Sequence, residues 1–247
     1  MRGAAVLLTS FGLLACDSKP KPAPAPASTP AAETTPTPPP KPTLPPTLIV
    51  DASGALVAGT RVSLDTSGAR ERLRGELDQH RSFIDKQEVR ISAERPAKPG
   101  FVSVMLDALG AVGASRVLVR TSTRADFPPE VGFIPLEKAR SAPACSLVAM
   151  ITADRGTAVW SRSGGVAGKR GKGMAGPDLT LTGESIETRA KTCPESQVIF
   201  VGGAEGVDWG LVYDLAASTK RLSRALFAEA ALVPAPPVPG HAVDLGK

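Results

Sequence analysis

From Thr47 onward the chain sets apolar and polar positions in short runs, and each run predicts an element. In TLIVDASGALVAG the alternation breaks at Ala52-Ser53-Gly54, the mark of a hairpin between two short strands. Arg61-Val62-Ser63-Leu64 extends the second strand or begins a third. In SGARERLRGELDQHRSFIDK, Leu73, Leu77 and Ile84 fall on one face among charges, so an amphipathic helix is expected there. Glu88–Ala93 alternates again and predicts a strand. Phe101, Met105, Leu109 and Val112 recur at helical spacing, and Gly113 supplies a stop signal. Arg116–Arg120 closes the set as a strand.

After a proline-containing stretch, ADFPPEVGFIPLEKARSAPA, the order recurs. SLVAMITADRGTAVWS predicts a hairpin turning at Ala153–Gly156, and Gly176-Pro177 with DLTLTG predicts an extended piece. GESIETRAKTC predicts a short helix, QVIFVGG an apolar strand, VDWGLVYDLAAS a helix and SRALFAE a last strand. At an offset of 107 residues Ile91 falls on Val198, Asp107 on Asp214, Leu109 on Ala216 and Leu118 on Ala225, which argues for an internal duplication. The expected fold is α+β, with two tandem two-layer α/β domains, 47–124 and 145–232. A connector at 125–144 separates them, and a disordered tail at 233–247 follows.

The first 46 residues differ in texture. Arg2, the apolar run Ala4–Ala15 and then Cys16 have the layout of an export signal. Twelve helical residues span about 18 Å, short of a ~30 Å hydrocarbon core. Leu13-Leu14-Ala15-Cys16 resembles a bacterial lipobox. The expectation is a lipoprotein signal peptide at 1–15 and acylation of Cys16, with the bland alternative of an ordinary signal and an incidental cysteine. Twelve of the chain's 24 prolines lie between Pro20 and Pro46. Residues 16–46 therefore predict a disordered tether of polyproline II character, which could reach up to ~90 Å.

Composition narrows the function. Net charge is +5, three of the lysines lie in the tether, and aromatic residues make up 4% of the chain. That balance gives neither a basic stripe nor a stacking platform, so no nucleic-acid partner is expected. In an exported chain the remaining pair, Cys145 and Cys193, reads as a disulfide, with two thiols buried apart as the alternative.

The stretches LIVDASGALVAGTRVSL, ARERLRGELDQ, VRISAE and PGFVSVMLDALGAVGASRVLVRT together resemble the periplasmic domain of the ExbD/TolR biopolymer-transport proteins. The D-x-x-G-x-L turn, the charged strand Val89–Glu94 and the helix ending Leu-Gly-x-x-Gly-Ala carry the likeness over about residues 47–121. The second copy, 146–230, matches more weakly. The resemblance implies a small two-layer sheet with two helices on one face and a domain that dimerises. It also implies a multi-helix ExbB/TolQ-like partner driven by the proton gradient, a TonB-like transducer, or peptidoglycan. Family members carry a transmembrane helix with an ion-handling Asp, the group that couples proton flow to motion. The run before Cys16 holds no acid, and Asp17 follows the cysteine. The expectation is thus a non-catalytic interaction protein in the periplasm, lipid-anchored to the inner or outer membrane and accessory to energy-coupled transport. Its two copies would pair as an intramolecular pseudo-dimer. The alternative is a structural or assembly lipoprotein that uses the fold as a spacer.

Candidate chemistry is sparse. GGVAGKRGKGMAG (164–176) lacks the Ser or Thr after lysine that a phosphate loop needs, so no nucleotide site is expected. It reads as a mobile hairpin extension whose Lys169, Arg170 and Lys172 could touch an anionic polymer or headgroup. His80 and His241 are the only histidines and read as solvated, so no metal site and no cofactor are expected. No catalytic residues are assigned; Asp107 and Asp214 read as exposed helix acids, and Trp160 and Trp209 as packing residues.

Overall fold

Gly54 (φ 139°) closes the first turn, where β1 (Leu48–Asp51) meets β2 (Gly54–Val57) with Asp51 opposite Gly54. The computed structural model describes residues 44–222 and 227–245, so the signal at 1–15, Cys16 and nearly all of the tether lie outside it. β3 (Thr60–Val62) pairs antiparallel with β2, and β4 (Glu88–Ala93) and β5 (Arg116–Arg120) add in parallel beyond β1. The single helix expected over 67–86 is broken into α1 (Ala69–Asp78) and the short α2 (Arg81–Ile84), with Leu73, Leu77 and Ile84 all fully buried. α3 (Pro99–Val112) starts with proline in its first turn, which needs no N–H there, and ends at Gly113 in the left-handed region. A side chain at Gly113 would collide with Asp85 as well as strain the backbone.

The second half repeats this connectivity. β7 (Leu147–Ile151) and β8 (Thr157–Ser161) form the hairpin, and β9 (Gly168–Arg170) pairs with β8. A two-residue hairpin, β10 (Lys172–Gly173) and β11 (Gly176–Pro177), leads into α5 (Leu179–Ala190). β12 (Val198–Gly203) lies parallel to β7, α6 (Trp209–Leu222) follows, and β13 (Glu229–Leu232) lies parallel to β12. DLTLTG is helical and not extended, because the Asp178 carboxylate accepts the Leu181 N–H and caps α5.

Register corrects the offset of 107. Ala93 stands opposite Val50 as Gly203 stands opposite Ile151, and α3 and α6 begin at 99 and 209. Both comparisons give 110, so Ile91 matches Val201 and Arg90 matches Phe200. Asp107 and Asp214 are therefore not equivalent. Neither are Ile91 and Val198, because an offset wrong by an odd number reverses strand faces. In the last strand Leu118 corresponds to Ala231, by the pairing of β5 with β4 and of β13 with β12.

The larger departure is that the halves are not separate domains. They share one 11-stranded mixed sheet, ordered β3-β2-β1-β4-β5-β6-β13-β12-β7-β8-β9. The strand that joins them, β6 (Glu130–Phe133), lies in what was expected to be a connector; it is antiparallel to β5 and parallel to β13. Val131 and Phe133 are fully buried, which is why this segment enters the sheet. Helices α1, α3, α5 and α6 cover one face over a core that runs through both halves. Among the described residues the other face is covered only in the second half, by α4 (Leu136–Ala139) and the C-terminal segment. That segment is not the loose tail expected: Leu245 is buried, the Trp160 indole N–H donates to the His241 carbonyl (2.8 Å), and Val243 N–H donates to the Arg162 carbonyl (2.9 Å).

Candidate interaction surfaces

Three places collect the polar and charged groups that the fold leaves distinctive. The first is the seam between the halves. Arg95 leaves the end of β4 and reaches Asp214 on α6 with two hydrogen bonds (2.8 and 3.1 Å), and the Thr123 hydroxyl donates to the same carboxylate (2.6 Å). Gly210 allows this approach, since a Cβ there would lie 2.8–2.9 Å from the Arg95 side chain. The Trp209 indole donates to the Thr121 hydroxyl, the Tyr213 hydroxyl to the Pro128 carbonyl, and Trp209 packs on Phe133 with ring centres 5.9 Å apart. Asp214 was expected to be exposed and is buried, because α6 packs against the first half. Burial also pushes the Tyr213 phenol well above its ordinary range. A hydrogen-bonded pair of this kind is costly to break from one side, so the seam is structural.

The second place is the uncovered face of the first half. Arg90 and Arg120 converge on Glu130 (3.7 and 2.7 Å), and Arg116 lies between Glu88 (3.4 Å) and Glu229 (3.3 Å). At the outer strands Arg61 binds Asp51 through both guanidinium nitrogens, which holds the Asp51 carboxyl below the usual range. The face is a ladder of opposite charges on cross-strand neighbours. Pairs this exposed are worth about 0–1 kcal/mol each, so they can be exchanged for a partner's charges at small cost.

The third place is the sheet edge at β9. Lys169, Arg170 and Lys172 are all exposed, and none joins an ion pair among the described residues. The stretch 164–176 is not one long hairpin extension: part of it is an ordered edge strand, and only Met174-Ala175 forms a tip. The sequence pointed to those three cations, but not to the exposure of Val166 and Met174, which flank them along the chain.

The remaining candidates resolve as follows. Cys145 and Cys193 are bonded, tying the chain just before β7 to the end of α5. The bond closes a 48-residue separation, worth about 4 kcal/mol in the chain-entropy model, and belongs to an oxidising compartment such as the periplasm. Glu195 completes a cluster of potential ligand atoms with the two sulfurs, but bonded sulfurs are not thiolates and cannot serve a metal. His80 is not fully solvated: its Nδ1 is buried at the α1–α2 break and has no hydrogen-bond partner among the described residues. His241 is exposed. Asp107 is half-buried with Arg70 at 3.6 Å, and burial raises its carboxyl above the usual range while Arg70 and Arg140 oppose that shift. Trp160 and Trp209 are fully buried packing residues. No helix among the described residues is long and apolar enough to cross a membrane. No protein-family model, curated protein or solved structure matches the chain.

Proposed function

We propose that the protein is a non-catalytic interaction protein of the bacterial envelope, moored by lipid on Cys16 and accessory to energy-coupled transport. The second copy acts as the base and the first copy presents its open sheet face to a protein partner. The observation that carries this reading is the contrast at equivalent positions. Arg90 and Arg120 stand exposed where the second copy has the buried Phe200 and Val233. A sheet face kept polar and uncovered in one copy, while its counterpart is apolar and sealed, suits reversible docking better than core formation. The ExbD/TolR resemblance of residues 47–121 supplies the partner classes: a multi-helix ExbB/TolQ-like protein, a TonB-like transducer or peptidoglycan. In this reading the two fused copies stand in for the family's two subunits.

Site-specific photo-crosslinkers at Arg90 and Arg120 in living cells test it, with Val238 in the C-terminal segment as control. Capture of one membrane-embedded or TonB-like protein, or of glycan fragments, from both face positions and not from the control is the expected result. No capture from either face position would leave the spacer reading standing and remove this one.

A further inference from the structure

The sheet edge at β9 combines two features that its counterpart on the first copy, the edge strand β3, lacks. Its cations form no ion pair among the described residues, Lys172 acting only at longer range on the Asp154 carboxylate, and large apolar side chains stand exposed beside them in sequence. Met174 is fully exposed at the tip of the β10–β11 hairpin, Val166 is 85% exposed two residues before β9, and Leu181 is exposed in the first turn of α5. Lys169, Arg170 and Lys172 lie between Val166 and Met174 along the chain. On the first copy the residue equivalent to Lys169 is Arg61, opposite Leu56 as Lys169 is opposite Ala158, and Asp51 neutralises it at 2.7 Å.

Exposed Met and Val gain nothing in water, and none of the described residues covers them. Packing against a protein partner would call for a broad apolar patch, whereas these residues are separate prongs on a basic strip. Apolar prongs flanked by lysine and arginine match the interfacial zone of a negatively charged bilayer. There the side chains enter the boundary of the acyl chains while the cations meet phosphates. We infer that the β9 edge and the β10–β11 tip form a docking surface for an anionic lipid membrane. This goes beyond the function proposed above, for it requires neither acylation of Cys16 nor a protein partner. It would place the base copy against the bilayer at one end of the sheet, with the β3 end furthest away in strand order.

The test is co-sedimentation of the full chain carrying Cys16→Ser, so that no acyl chain contributes. Vesicles of phosphatidylcholine alone are compared with vesicles of equal phosphatidylcholine and phosphatidylglycerol at 0.1 M salt. The quantity read is the ratio of the two partition coefficients, in which any contribution of the apolar run Ala4–Ala15 cancels. The expected result is a clear preference for the anionic vesicles. Lys169→Gln/Arg170→Gln/Lys172→Gln should lower binding to them by roughly 100-fold, from about fivefold per cation. Met174→Ser should lower it several-fold with no change in charge. Arg90→Gln/Arg120→Gln, on the open face, should leave it unchanged. All these positions are exposed, so folding is not at stake. Equal binding to both vesicle types would overturn the inference, as would an effect of the open-face variant as large as that of the β9 variant. Binding that ignores Met174→Ser and is matched by a soluble polyanion would assign the edge to an anionic polymer instead.

Discussion

Arg90 and Phe200 occupy the same place in two copies of one strand arrangement, yet the Arg90 side chain is 66% exposed and Phe200 is fully buried. The contrast runs along the whole face. Ile49 is half-buried where Met150 is buried, and Arg120 is exposed where Val233 is buried. The strands show it directly: β4 alternates exposed and buried residues, whereas its counterpart β12 is buried from Ile199 to Gly203. Connectivity explains which copy became sealed. α4 directly precedes β7 and the C-terminal segment directly follows β13, so both reach the second face with short connections. Residues 18–46, ahead of the first copy, contain one sizeable apolar side chain, Leu44, and that residue is itself exposed. A repeated fold thus carries a core on two faces in one copy and on one face in the other.

The largest expected effect tests that difference at its centre. Phe200→Arg places an unpaired charge under α4 and Leu245, and should cost about 4 kcal/mol or more in urea unfolding. The mirror change, Arg90→Phe, should stay within about 0.5 kcal/mol. Similar costs for both would mean that the two faces do not differ as described.

A smaller effect is expected at the seam, which forces the halves to share one core. Arg95→Ala leaves the buried Asp214 carboxylate with only Thr123, at a cost of about 3 kcal/mol. Adding Asp214→Ala should cost little more, because the stranded charge is then gone. Strictly additive costs in this cycle would show that the pair does not couple the halves.

The smallest concerns Asp107 on α3. Burial raises its folded pKa above that of the unfolded chain, so its charged form costs stability at neutral pH, and that cost disappears below both values. Asp107→Asn should therefore be slightly more stable than the parent at pH 7, and the gain should vanish as pH falls below about 4. A gain that grows on acidification would reverse the sign assigned to this group.

Local pattern told much about the elements and little about their assembly. The hairpin at Asp51–Gly54, the strands Glu88–Ala93 and Arg116–Arg120, and the Gly113 stop were all legible, because alternation and turn chemistry act over a few residues. The bonded pair Cys145–Cys193 was legible as one of two outcomes. The start of α5 was missed because its first turn, Leu179–Thr182, reads as alternating strand until Asp178 is seen as its cap. The break at Gln79–His80 was missed because Leu77 and Ile84 keep helical spacing across it.

What the residues determined unaided is the set of short elements, the repeat of their order, and the three cations near the second hairpin. Each depends on neighbours a few positions apart. Only the tertiary structure decided that EVGF would join the two copies into one sheet, that the C-terminal residues would seal one face, and that Asp214 would be buried against Arg95. Those outcomes depend on contacts between groups about 80 to 120 residues apart, and a chain's local pattern holds no record of which distant surface will exclude water from it.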